Sequence, residues 1–328
     1  QTCALPISIK ISLLADDTTI FIQDLTSLQT VLNLMHMFRQ SSGLKMNKGK
    51  TNVLQVGKKQ WCIKNFQLKN IKECIYTLGT WFYKEPSVTV ERNYDIKYKE
   101  FEKVLQKWKY RDTTLYGRIT IVKTLALSKL NYVMSCIEIT KDFVDKVQDA
   151  VFDFIWESKP PKIKNNVAVQ SSEAGGLKIP HVENYVLANR ASWIRRLIDE
   201  ESSNLSYMQM FLPNIDFEYF LKCNYNPEDL PTELPTFYRQ VLYAWFLLKK
   251  PPTNAIDVRR ESIWYNQFIT IGTKYVYYSS LVQNGVFFIQ DIVTDSGHFK
   301  TYEQFCHQYG LFITHFQYIS LIDAIPST

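Results

Sequence analysis

The spacing of apolar residues between Asn93 and Lys109 constrains the fold more than any other feature. Tyr94, Tyr98, Phe101, Leu105 and Trp108 recur at steps of four and three. A strand alternates at every second residue and would scatter these side chains over both faces. An α-helix of 3.6 residues per turn gathers them into one stripe. The other face carries Lys97, Lys99, Lys103 and Lys107. A stripe this apolar must be covered, so other helices have to pack on it.

The following sequence supplies them. Thr114–Ile137 reads as a second helix with Ile119, Val122, Leu125 and Leu130 inward. In "DFVDKVQDAVFDFIW", Phe143, Val147, Val151 and Phe154 share a face, and a fourth helix covers about Val182–Asp199. "KPPKIKNN" and "EAGGLKIP" are loops by their Pro, Gly and Asn content. The N-terminal part has a different period. Ile11–Ala15 and Thr18–Ile22 read as strands around Asp16 and Asp17. A helix follows, with Leu28, Val31, Leu32, Met35 and Phe38 on one face, Thr26 or Ser27 able to cap it and Gly43 at its end. "KTNVLQVG" reads as a strand that rejoins the sheet. Ile71–Tyr83 reads as a hairpin turning near Gly79, after which Pro86 breaks the chain. The expected class is α+β, mostly α.

Beyond Glu200 the character changes. "NPEDLPTELP" is a Pro-rich acidic linker, Phe237–Lys249 a helix and "KKPPTN" a second linker. Ile256–Ile325 mixes short strands, turns and helices and is rich in aromatic residues. With 46% hydrophobic and 14% aromatic residues among 328, the chain can build a sizeable core. It has no stretch of about 18 apolar residues, so neither a membrane span nor a membrane partner is expected. The first residues lack the basic start and apolar run of a signal peptide. Six cysteines lie without CxxC spacing, and Cys306 beside His307 has no second pair, so free thiols in an intracellular protein are expected.

Charge is uneven. Residues 1–200 hold 30 Lys and Arg against 20 Asp and Glu, and residues 45–129 hold 19 against 7. Residues 201–328 hold 8 against 12. A basic block within a foldable, apolar segment points to a polyanion partner; a merely solvated basic surface is the alternative. The adjacent carboxylates of Asp16 and Asp17 repel each other unless a cation sits between them or both are solvated in a surface turn.

Six segments, in order, carry a resemblance: "LLADDTTIF", "SGLKMNKGKT", "YTLGTWF", "LYGRITIVKTLALSKLNYV", "FDFIW" and "GGLKIP". Together they resemble the reverse transcriptase of non-LTR retrotransposons (long interspersed elements). Later stretches such as "LPTFYRQVLYAWFLLKK" and "SIWYNQFITI" look like the region after the polymerase, so the resemblance covers about residues 8–328. It implies part of a right-hand polymerase. Residues 8–85 would be the C-terminal part of the palm, 86–200 the helical thumb and connecting region, and 201–328 the post-polymerase region. Residues 1–7, "QTCALPI", have no counterpart in the family and are expected to be a foreign start.

The resemblance also implies roles. Asp16 would bind the two Mg²⁺ ions that activate the primer hydroxyl and clamp the triphosphate, with Asp17 a carboxylate of the same site. Nucleotidyl transfer needs two hard cations about 4 Å apart, held by carboxylate oxygens. Lys50 would approach the leaving pyrophosphate, where negative charge builds up, with Lys48 the competing candidate. Leu78 and Gly79 would grip the primer, Gly79 giving the turn and Leu78 the packing. Lys97, Lys103, Lys107, Arg118 and Lys123 would contact phosphates of the RNA–DNA hybrid. The implied partners are an RNA template, a DNA primer, deoxynucleoside triphosphates and the element's ribonucleoprotein. Nucleus and cytoplasm are the locations expected for the family.

Only seven residues precede Ser8, so the family's fingers and first metal-binding aspartate are expected to be missing and the chain inactive alone. The alternatives are a non-catalytic nucleic-acid-binding remnant of the element and a basic helical scaffold.

Overall fold

A computed structural model describes residues 11–14, 17–57, 61–63, 66, 68, 70–199, 205, 208–249, 258–310 and 313–326. They are mostly helical with small sheets. The chain divides into two compact units, 1–185 and 186–328.

In the first unit, β1 (Ile11–Leu14) and β2 (Asp17–Ile20) pair antiparallel with Leu14 opposite Asp17. Helix α1 (Leu25–Ser42) follows. Its cap is Asp24, whose side chain accepts from the Ser27 N–H at 2.7 Å, so the expected Thr26 or Ser27 cap is corrected. Gly43 ends the helix in the left-handed conformation, as expected. The stripe Leu28, Val31, Leu32 and Met35 is half-buried, Phe38 is exposed, and α1 has no buried residue.

β3 (Asn52–Leu54) does not rejoin the β1–β2 hairpin. It pairs in parallel with β4 (Asn70–Lys72). β5 (Cys74–Thr77) and β6 (Thr80–Tyr83) form the expected hairpin. Leu78 and Gly79 have φ of 50° and 78°. Positive φ at both central residues matches the right-handed twist of the flanking strands, and Gly accepts it without strain. Among the described residues the strands form separate two-stranded sheets.

Pro86 does not break the chain. It opens α2 (Pro86–Lys109), where its missing N–H costs nothing and its fixed φ suits the first turn. Tyr94, Phe101 and Leu105 are buried on the expected stripe. The second helix is interrupted. α3 (Leu115–Ile121), capped by Thr114, runs into a π-helical turn at Val122–Ala126 and then α4 (Ser128–Cys136). Ala126 and Leu127 are buried, while Leu125, expected inward, is exposed. α5 (Lys141–Trp156) adds Val147, Val151 and Ile155 to the buried residues of the unit, among them Phe101, Val122 and Leu130. Tyr94 packs on the Phe143 ring at 4.5 Å and donates to the Ile137 carbonyl at 3.1 Å. A turn of helix, α6 (Asn165–Ala168), precedes α7 (Val182–Asp199), within which the unit boundary falls.

In the second unit, α8 (Phe217–Lys222) and α9 (Thr236–Leu248) bury Phe220, Val241, Leu242 and Phe246 together. A second cluster gathers Trp264, Leu281, Ile292, Phe305, Tyr318 and Leu321 from the short elements that follow. The Trp264 indole donates to the Val286 carbonyl at 2.7 Å. Within the unit, Arg190 is buried, with its guanidinium 4.5 Å from the centre of the Phe237 ring and its Nε donating to Gln240 at 3.3 Å. Cys223 is buried among Tyr219 and Ser262, which pushes its thiol up to about 11 and keeps it protonated. The described cysteines are free, and no described helix is long and apolar enough to cross a membrane.

Candidate functional site

The hairpin of β5 and β6 is held to the helices by a small set of polar bonds. Asn93, buried in α2, accepts from the Trp81 N–H at 2.9 Å and donates to the Trp81 and Thr89 carbonyls, both at 2.7 Å. Thr89 accepts from the Tyr83 N–H at 2.9 Å. From α4, the Tyr132 hydroxyl donates to the Leu78 carbonyl. The same ring closes over Gly79, where a Cβ would lie 2.9 Å from Tyr132 Cε1. Helices separated by some forty residues thus fix one hairpin from two sides. Leu78 contributes its carbonyl here, and its side chain is exposed.

Beside the hairpin lies a cleft of about 280 Å³ between Tyr76, Trp81, Ile96, Lys97 and Glu100. The Tyr76 and Trp81 rings sit 5.1 Å apart. Lys97 is half-buried at this rim and paired with Glu100 at 2.9 Å. It therefore stands apart from Lys103 and Lys107. Those two, with Lys99 and Arg92, lie along the α2 face away from the buried stripe. Their steps of seven, four and four residues keep one helix face in register over about 22 Å at 1.5 Å per residue.

Arg118 is engaged inside the fold. Its guanidinium pairs with Glu157, donates to Thr113 at 3.2 Å and reaches the Ile155 carbonyl at 3.5 Å. Hydrogen bonds from Arg118 and then Lys159 hold the Glu157 carboxyl down at about 2. Arg118 so braces the start of α3 against the end of α5. Lys123 is exposed on the π-helical turn. Lys50 is exposed in a turn where its own N–H donates to Asn47. Asp17 opens β2, and Asp16 lies outside the described residues. No three His, Cys, Asp or Glu side chains among the described residues are placed to share a metal ion.

Sequence reasoning missed Asn93, Tyr132 and Arg92. Asn93 borders the apolar stripe next to Tyr94, a position where a polar residue must find buried partners. Arg92 sits seven residues before Lys99, and heptad spacing would have found it. Nothing local marks Tyr132, whose partner lies 54 residues away.

No family model matches the chain. It is similar to the Transposon TX1 uncharacterized 149 kDa protein of Xenopus laevis, 24% identical over an alignment of 283 positions that covers 79% of this chain and 21% of that protein. The chain thus spans about a fifth of the length of the relative it matches.

Proposed function

We propose that the chain is a fragment of the RNA-directed DNA polymerase of a non-LTR retrotransposon, and that its own activity is binding of nucleic-acid duplex. The observation that carries this reading is on α2. One face of this helix is a row of cations, Arg92, Lys99, Lys103 and Lys107, while its buried Asn93 clamps the Leu78–Gly79 hairpin. A rigid cationic row with a tight turn beside it suits a duplex backbone, which is positioned by charge and not read by sequence. Similarity to a transposon protein supports the origin in a mobile element. The ordered motifs support the enzyme class.

In this reading Asp16 and Asp17 are Mg²⁺ ligands in the longer polymerase and Lys50 lies near its leaving pyrophosphate. Leu78 and Gly79 face the primer backbone. Lys103, Lys107 and Lys123 meet phosphates of the hybrid, while Arg118 serves the fold. Template RNA, primer DNA and deoxynucleoside triphosphates are partners of the longer enzyme, within the element's ribonucleoprotein. A non-catalytic binding role for this chain alone is the second reading, and the α2 row supports it equally.

Equilibrium binding to a blunt RNA–DNA hybrid tests the proposal. Neutralising about four phosphates should make log K fall linearly with log salt at a slope of about −3 to −4. No binding, or binding insensitive to salt, would contradict it.

A further inference from the structure

The cleft beside the hairpin joins the aromatic residues of "YTLGTWF" to a charged pair on α2, a combination that gripping a primer backbone does not require. Tyr76 is exposed and leans on Trp81, giving an aromatic wall open to solvent. Ile96 adds an exposed apolar surface. At the rim the Lys97 ammonium lies 2.9 and 3.0 Å from the two Glu100 oxygens, so one strong donor and two strong acceptors stand side by side. The volume, about 280 Å³, is enough for one nucleobase and too small for a folded peptide segment.

We infer that this cleft takes one unpaired guanine base of a bound strand. The inference rests on the nucleic-acid reading above and deepens it. An aromatic wall supplies the stacking that any base can use. The rim then discriminates. Guanine presents two adjacent N–H donors beside one carbonyl acceptor, which matches both Glu100 oxygens and Lys97. Adenine and cytosine each offer one amino donor beside a ring acceptor, and thymine one ring N–H between two carbonyls. Each of these leaves part of the charged pair unmatched, so guanine makes more charge-assisted hydrogen bonds at the rim than any of them. The cleft shares α2 with the cationic row, so a strand whose phosphates meet Lys99 and Lys103 passes close to it.

The test uses twelve-nucleotide oligothymidylates with a single central guanine or adenine, measured by fluorescence anisotropy at one salt concentration. The guanine strand should bind about tenfold more tightly than the adenine strand. Glu100→Gln should erase that preference, read as the ratio of the guanine and adenine affinities, while the loss of one negative charge beside Lys97 raises the affinity for every strand alike. Tyr76→Ala, at an exposed position that does not threaten the fold, should remove the gain from either purine. Equal affinity for the guanine and adenine strands, or a preference that survives Glu100→Gln, overturns the inference. If the blunt hybrid still binds with its salt slope, the broader reading stands without the cleft. If no nucleic acid binds, both fall.

Discussion

Replacing Asn93 by Leu should destabilise the first unit by about 3 kcal/mol or more, the cost of leaving buried backbone groups unpaired. Leu is close to Asn in bulk, so the change creates little cavity. It removes the acceptor for the Trp81 N–H and the donor to the Trp81 and Thr89 carbonyls. Thr89 keeps its own tie to the hairpin through the Tyr83 N–H, whereas both backbone groups of Trp81 reach α2 through Asn93. Urea unfolding followed by tryptophan fluorescence reads the loss, and hydrogen exchange at the Trp81 amide should accelerate well beyond that of core amides in α5. A change below about 0.5 kcal/mol would mean that water or neighbouring groups replace the clamp, and the rigidity argued for the turn would be lost.

Gly79→Val should cost about 2–3 kcal/mol, from two separable causes. A β-branched side chain resists the φ of +78°, and its Cβ meets Tyr132 Cε1 at 2.9 Å. Moving the ring aside breaks the bond from the Tyr132 hydroxyl to Leu78. Gly43 provides the control. It has a similar φ, +73°, and a Cβ at that position would meet nothing within 4 Å, so Gly43→Val carries the strain alone and should cost only about 1–2 kcal/mol. Thermal unfolding of both variants checks the difference. Equal costs would show that backbone strain alone matters at Gly79 and that the Tyr132 contact is incidental.

Local periodicity makes much of this fold readable. The stripe from Tyr94 to Leu105 and the face of Val147 and Val151 follow from a 3.6-residue repeat, and all of these but the half-buried Tyr98 are buried. The Leu78–Gly79 turn is legible because few residues tolerate positive φ. The failures share a cause. Leu125 follows Val122 by three residues, but Ala126, four residues on, takes the buried place within the π-helical turn, and packing around the helix decides between the two. Lys97 and Lys107 look alike in sequence, yet Glu100 and the hairpin hold Lys97 at a cleft. Arg118 reads as a free cation in sequence, and Glu157, 39 residues away, engages it. β3 pairs with β4 and not with the first hairpin because strand partners are chosen by tertiary contacts that propensity does not encode. At the acidic turn, the motif is legible as chemistry, while the structure places Asp17 only as the first residue of a strand.

The most direct measurement is the salt dependence of hybrid binding for the chain and for a variant with Lys99, Lys103 and Lys107 all changed to Ala. These residues lie outside the core, so the variant should fold with unchanged thermal stability. If the α2 face holds the duplex, the slope of log K against log salt should flatten by about 2 to 3, close to one counterion for each lysine removed. A folded variant whose slope equals that of the original chain would place the contact elsewhere and contradict the account.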